Sequence, residues 1–299
     1  MKVGVIGAGR MGTPFAENLL SQGHEVVVHT RTPAKARGLE GLGARLAASP
    51  REAASPGGMV VTFVPDDAAV ETVSRGPGGV IAGLGPGGVH VVASTIAPET
   101  ARRLAIEHRS AGVGYVAAPV LGRPDAVAAR RVWFLVSGET LGRARARDLL
   151  APYAREVYDV GDEPGAANVL KLAANFLLAT SLEAMAEAFT LAEKEGVPRE
   201  EAADLLGRTI FASPVLSAYG RMIADHAYGE GGFATRLGLK DVKLVLESAE
   251  AAAAPMPLAN LLRHRFEDAV AHGRGQLDWA AIGLEVAEAA GVHPTGTPQ

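Results

Sequence analysis

The 299-residue chain has no cysteine. That excludes disulfides, thiolate nucleophiles and cysteine-based metal sites, and it fits a reducing, cytoplasmic setting. The chain also lacks a strong excess of either charge. Twenty-nine basic residues stand against 33 acidic ones, a net charge of −4, so neither a nucleic-acid footprint nor a surface for anionic membranes is expected. No apolar run reaches the roughly 20 residues of a membrane span. The first residues lead straight into a strand, with no stretch suited to a signal peptide. Eight histidines are present, none in HExxH or another paired-ligand spacing, so no metal site is expected.

What is present is concentrated at the start. Residues 2–12 read KVGVIGAGRMG, a short apolar strand that runs into Gly7-x-Gly9-x-x-Gly12. Gly7 allows the tight turn out of the strand. Gly9 has no Cβ, so a pyrophosphate can approach the backbone. Gly12 lets the next helix pack close to the strand. The loop, completed by Ala8, Arg10 and Met11, opens a helix whose N-terminal N–H groups and partial positive charge suit phosphate. An amphipathic stretch (Phe15, Ala16, Leu19, Leu20) and a second strand at residues 26–28 follow. In that context the loop predicts a dinucleotide site.

Further strands are expected at residues 59–63, 89–93, 115–116, 132–136 and 157–158. Helical stretches and clusters such as Gly76-Pro77-Gly78-Gly79 separate them. Alternation of this kind predicts βαβ units and a parallel, doubly wound sheet. After residues 161–165 the strands stop. An Ala- and Leu-rich run over 166–195 reads as one long helix ended by Gly196 and Pro198, and shorter helices are expected at 200–206, 215–226, 239–253, 258–271 and 279–290. The expected organisation is therefore a Rossmann dinucleotide-binding domain over residues 1–163 and an all-helical domain over 164–299, joined by the long helix. Residues 295–299 are expected to fray.

The second strand ends in His29-Thr30-Arg31-Thr32. An NAD-selective chain usually carries Asp or Glu here for the ribose 2′-hydroxyl. No acid is present to repel a 2′-phosphate, and Arg31, aided by the Thr30 and Thr32 hydroxyls, offers a charged fork that suits one. NADP(H) is favoured, with NAD(H) as the alternative.

Taken in order, the motifs resemble the β-hydroxyacid dehydrogenase family, which includes 3-hydroxyisobutyrate dehydrogenases and glyoxylate/succinic semialdehyde reductases within the 6-phosphogluconate dehydrogenase superfamily. The likeness spans the glycine loop, Val64-Pro65-Asp66, Ser94-Thr95-Ile96-Ala97-Pro98, Ala118-Pro119-Val120, Gly165 ahead of Lys171-Leu172-Ala173-Ala174-Asn175, Leu239-Lys240-Asp241 and Leu277-Asp278-Trp279. The resemblance implies that Val64, Pro65, Thr95 and Lys240 contact the cofactor and that Ser94 lies against the substrate. It makes Lys171 the acid/base group and Asn175 the residue that orients the substrate oxygen. The two sit at i and i+4, on one face of a helix. A lysine serves near neutral pH where desolvation or a neighbouring positive charge lowers its pKa. Taken singly, Pro65-Asp66-Asp67 also suits a helix start, Ser94 and Thr95 suit an N-cap, and Lys171 suits a plain helix lysine.

One loop departs from the family. Where relatives usually carry Ser-Gly-Gly to bind a carboxylate, this chain reads Leu121-Gly122-Arg123. Either Arg123 clamps an acid group or the pocket takes a less polar carbonyl. The expected activity is NADP(H)-dependent interconversion of a small aldehyde or keto acid and the β-hydroxy acid by hydride transfer. Reduction of imines and a non-catalytic dinucleotide-binding role are the alternatives, and the presence of Lys171 argues against both. An apolar helical domain predicts a homodimer, or a tetramer built from dimers.

Overall fold

The computed structural model describes residues 1–230 and 232–292; residues 295–299 lie outside them. Two compact units are present, Met1–Lys171 and Leu172–Gln299.

In the first unit β1 (Lys2–Ile6), α1 (Gly12–Ser21), β2 (Glu25–His29), α2 (Arg37–Gly41), β3 (Arg45–Leu46), α3 (Pro50–Ala53), β4 (Met59–Thr62), α4 (Asp67–Ser74), α5 (Val80–Leu84), β5 (Val89–Val92) and α6 (Pro98–Ser110) alternate strand and helix. β6 (Gly114–Ala117), β7 (Val120–Leu121), α7 (Pro124–Ala128), β8 (Trp133–Gly138), α8 (Thr140–Leu150) and β9 (Glu156–Gly161) follow. The strands form one sheet in the order β3-β2-β1-β4-β5-β6-β8-β7, with β9 beside β8. β4 and β5 are buried along their whole length, as expected of central strands covered on both faces. Helix starts are encoded locally: Ser49 caps α3, Asp66 caps α4 and Glu139 caps α8, while Pro98 and Pro124 stand in the first turns of α6 and α7.

The sheet is not wholly parallel, contrary to the reading of the sequence. β8 runs antiparallel to β6 and β7. The link from β7 to β8 holds only the five-residue α7, too little for the crossover that parallel neighbours need. β3 and β7, of two residues each, are too short to show a period of two.

α9 (Ala166–Lys194) begins in the first unit and continues into the second, followed by α10 (Arg199–Arg208), α11 (Pro214–Ala224), α12 (Thr235–Ala251), α13 (Pro257–Ala271) and α14 (Ile282–Ala289). By length and composition alone α9 is long and apolar enough to cross a membrane, which the sequence reading did not expect. Its buried Leu182, Ala186 and Phe189 belong to the helical core, and Lys171, Asn175 and Glu183 interrupt the apolar run. The centre of that core is Trp279. Its ring meets Phe233 edge-on at 4.8 Å and stacks near Phe266 at 6.3 Å, and its Nε1 donates to the Tyr219 hydroxyl at 2.9 Å. Asp278 accepts from the Ala280 and Phe233 N–H groups. That turn makes residues 279–281 a 3-10 segment ahead of α14 rather than its first turn.

A polar chain crosses the core of the first unit. Thr62 Oγ1 lies 2.7 Å from His90 Nε2, His90 Nδ1 lies 2.9 Å from His108 Nε2, and His108 Nδ1 lies 2.6 Å from the Leu104 carbonyl. The carbonyl can only accept, so His108 Nδ1 carries a proton. With both rings neutral every other role follows: His90 donates to His108, and the Thr62 hydroxyl donates to His90. Burial holds His90 well below its ordinary value, aided by His108. Burial also pulls His108 down to about 4, against the upward pull of the Leu104 carbonyl and Glu107. Unfolding lets both rings take up protons below their ordinary value of 6.5, so acid favours the unfolded chain. Stability should be fully present above pH 6.5 and fall as pH drops towards 4. Urea midpoints measured across that interval should fall less in the His90→Leu/His108→Leu double variant than in the wild type.

Candidate active site

Chemistry-bearing residues collect at the C-terminal ends of the parallel strands, on either side of the point between β1 and β4 where the strand order reverses, the usual ligand position in open α/β sheets. Gly7 has φ +99°, and a Cβ there would stand 2.1 Å from the Phe63 carbonyl oxygen. A Cβ on Gly12 would stand 1.9 Å from the Gly7 carbonyl oxygen. Both positions therefore require glycine. Gly9 differs: among the described residues nothing comes within 4 Å of its Cβ position. The loop is closed where the fold packs and open where a phosphate would lie. Among the described residues no side chain caps α1, and its first turn holds no acid. These features fit a bound dinucleotide pyrophosphate. Ala8 is buried, Met11 half-buried and Arg10 exposed.

After β2, Arg31 and Thr32 are exposed. Thr32 precedes the 3-10 turn Pro33–Ala36. Lys35 and Arg37 are exposed in the same stretch, two further cations that the sequence reading passed over; the absence of any acid between Val26 and Leu39 was their signal.

β4 and β5 end in segments that are bonded to each other. The Val64 N–H donates to Ser94 Oγ at 2.8 Å. Asp66 is a helix cap, accepting from the Ala69 N–H. Ser94 and Thr95 do not cap α6; the residue at that boundary is Ala97, whose N–H donates to Asp67 at 2.9 Å. Val64 and Leu121 pack on the apolar cluster that includes Ile96 and Ala167. Gly122 has φ +150°, and its Cβ would meet Val132 at 2.6 Å. Arg123, half-buried, is the boundary residue of α7. The structure thus brings Val64, Ser94 and Leu121 around one cluster, while Arg31 and Thr32 follow a different strand.

The first turn of α9 is fastened to the sheet. Ser137 Oγ accepts from the Ala167 N–H at 3.1 Å and donates to the Pro164 carbonyl at 3.0 Å. Gly165 fits because a Cβ would approach the Pro98 carbonyl oxygen to 2.9 Å. Asn168 Nδ2 donates to the Ile96 carbonyl at 3.3 Å. Ser137 and Asn168 were not picked out from sequence; Asn168 stood out only as one amide in the run AANVLK. Lys171 follows at 9% exposure and Asn175 at 8%.

In the second unit Asn175 Nδ2 donates to Asp241 Oδ2 at 2.5 Å, and Lys240 Nζ pairs with Asp241 Oδ1 at 2.9 Å. Asp241 is 1% exposed. Its carboxylate fixes the Asn175 amide with the nitrogen turned inward and the oxygen on the opposite side. The motif Leu239-Lys240-Asp241 gave no sign that Asp241 holds Asn175. Elsewhere in this unit His272, Glu285 and Glu288 bring ligand atoms within 4.8 Å of one another, but Arg274 is bonded to both carboxylates, which makes the group an ion-paired clasp.

Residues 2–161 match the family described as the NAD binding domain of 6-phosphogluconate dehydrogenase. Residues 165–286 match the NAD-binding family of NADP-dependent 3-hydroxyisobutyrate dehydrogenase. The oxidoreductase YfjR of Bacillus subtilis (strain 168) is 40% identical, covering 94% of this chain and 98% of its own. A 3-hydroxyisobutyrate dehydrogenase of Pseudomonas aeruginosa is 33% identical over 88% of this chain and 90% of its own. The solved structure of a Mycobacterium tuberculosis 3-hydroxyisobutyrate dehydrogenase with L-serine superposes with a TM-score of 0.85 at 27% identity, covering 95% of this chain and 98% of the other. The chain belongs to the β-hydroxyacid dehydrogenase family, NAD(P)-dependent oxidoreductases acting on CH–OH groups.

Proposed function

We propose that this enzyme interconverts a small aldehyde or keto acid and its β-hydroxy acid, with NADP(H) as cofactor. The observation that carries this reading is the pair Lys171 and Asn175. They are buried one turn apart on α9, and Asp241 sets the amide. When bound, the dinucleotide supplies the hydride or accepts it. Lys171 gives a proton to the carbonyl oxygen in reduction and takes the hydroxyl proton in oxidation. Asn175 orients that oxygen. The glycine loop from Gly7 to Gly12 would hold the pyrophosphate, with Val64, Pro65, Thr95 and Lys240 as further cofactor contacts. Arg31 and Thr32 receive the 2′-phosphate. Leu121, Gly122, Arg123 and Ser94 face the substrate, and Arg123 takes over its acid group from the serine that relatives carry. The 3-hydroxyisobutyrate dehydrogenases resembled by this chain, one bound to L-serine, support a β-hydroxy acid.

The exposed side of α9 carries Leu170, Leu177, Ala184 and Leu191, seven residues apart. This is the spacing of a helix–helix seam, and it supports a homodimer, alone or paired into a tetramer.

Consumption of NADPH at 340 nm against glyoxylate, succinic semialdehyde and methylglyoxal, with cyclic imines as controls, tests the activity. Lys171→Ala should lower turnover roughly 10²–10⁴-fold with NADPH binding retained; near-normal turnover, or activity on imines alone, would refute the assignment. Arg31→Ala should erase a preference for NADPH over NADH; equal efficiency with both cofactors in the wild type would defeat the NADP reading. In sedimentation the wild type should run as a dimer or larger and Leu177→Glu/Leu191→Glu as a monomer, whereas a wild-type monomer at every concentration would remove the seam.

A further inference from the structure

β7 pairs with β8 so that Leu121 stands opposite Trp133 and Val120 opposite Phe134. Residues opposite each other in an antiparallel pair point to the same side of the sheet, and successive residues alternate. Val120 and Phe134 belong to the core on one side. Leu121 and Trp133 therefore share the other side, with Leu135 and Ser137 further along β8. On that side Ser137 Oγ accepts from the Ala167 N–H, and Leu121 and Leu135 pack in one cluster with Ile96 and Ala167. Lys171 stands one turn beyond Ala167 on α9.

Leu121 and Trp133 are both half-buried, so the pair keeps apolar surface that the core does not cover. Side chains directly opposed across two strands have Cβ atoms about 4.5–5.5 Å apart, close enough for a leucine and an indole to form one wall. The Arg155 guanidinium lies over the Trp133 ring, 5.2 Å from its centroid, and steadies the ring from one face. On the β9 side the wall ends at Glu156, which is opposite Trp133 and exposed. Such a wall discriminates by polarity. A hydrocarbon group laid against it is removed from water together with the wall. A hydroxyl or carboxylate in the same place loses water and gains no partner.

We propose that Trp133 is a specificity-determining residue. The substrate it selects is a β-hydroxy acid, or the matching aldehyde, with a hydrocarbon group larger than methyl on the carbon between the reacting carbon and the carboxylate. The group packs on Leu121 and on the indole, and an aromatic group adds offset or edge-on ring contact. The proposal rests on the reading of the loop at Leu121 as the substrate loop, and it names the class that this loop selects.

Three β-hydroxy acids that differ only at that carbon test it with the full-length enzyme: 3-hydroxypropanoate, 3-hydroxy-2-methylpropanoate and 3-hydroxy-2-phenylpropanoate. Each is oxidised with NADP+ or NAD+ and followed at 340 nm. In the wild type kcat/KM should rise along the series, by about tenfold or more from the first to the last. In Trp133→Thr that ratio should fall about tenfold, and in Trp133→Phe most of it should return. A merely structural role would lower all three alike and leave the ratio. A wild type that prefers 3-hydroxypropanoate, or a ratio unchanged in Trp133→Thr, overturns the proposal; the wild-type series decides alone if Trp133→Thr does not fold. Binding is read without turnover. The chain has two tryptophans, and Trp279 is 2% exposed, so the difference in emission between wild type and Trp133→Phe reports Trp133. With NADP+ present, 2-phenylpropanoate, which has no hydroxyl to oxidise, should shift that emission at concentrations at least about tenfold below those that propanoate needs. An equal response to the two acids, or none, overturns the proposal. If 2-phenylpropanoate binds as expected and no acid of the series is oxidised, the reaction assigned to Lys171 fails while the selection by Trp133 stands.

Discussion

The site depends on how the first turn of α9 is held. A helix begins with N–H groups that lack partners, and here a hydroxyl from a strand far back in the chain supplies one. Ser137, on β8, bonds both the Ala167 N–H and the Pro164 carbonyl. Gly165 removes the side chain that would keep the turn away from Pro98, and Asn168 fixes the carbonyl of Ile96. With its base held at these points, a side chain one turn further on has little freedom. Lys171, the acid of the proposed reaction, follows directly on this fastened segment.

The same economy governs the sheet. The end of β1 approaches the end of β4 too closely for any Cβ at Gly7, and the start of α1 approaches the Gly7 carbonyl as closely at Gly12. β4 and β5 are joined by the bond from Val64 to Ser94 and, deeper, by the bond from Thr62 to His90. The segments that follow these strands are therefore pinned above and below. Preorganised backbone of this kind presents N–H groups to a ligand without reordering loops on binding.

Much of this was legible in the chain. The glycine spacing, the alternating strands and the unbroken run of α9 are local signals, and each depends on residues close in sequence. The order of Val64-Pro65, Ser94-Thr95, Lys171 and Lys240 gave the family, because several motifs in sequence are far more specific than one. Long-range polar pairing was not legible. Ser137 reads as an ordinary strand residue, and nothing in sequence says that its hydroxyl meets Ala167. Asn168 and Asp241 gain meaning only through partners 72 and 66 residues away. The antiparallel return of β8 was missed because alternation reports that a strand exists and not which way it runs.

Asn168 and Asn175 are seven residues apart, almost two full turns, so both lie along one side of α9. The first is tied to Ile96 in one compact unit and the second to Asp241 in the other. Each bond joins the helix to a segment of its own unit, so each amide anchors α9 locally, through an N–H donor that neither alanine nor aspartate would supply.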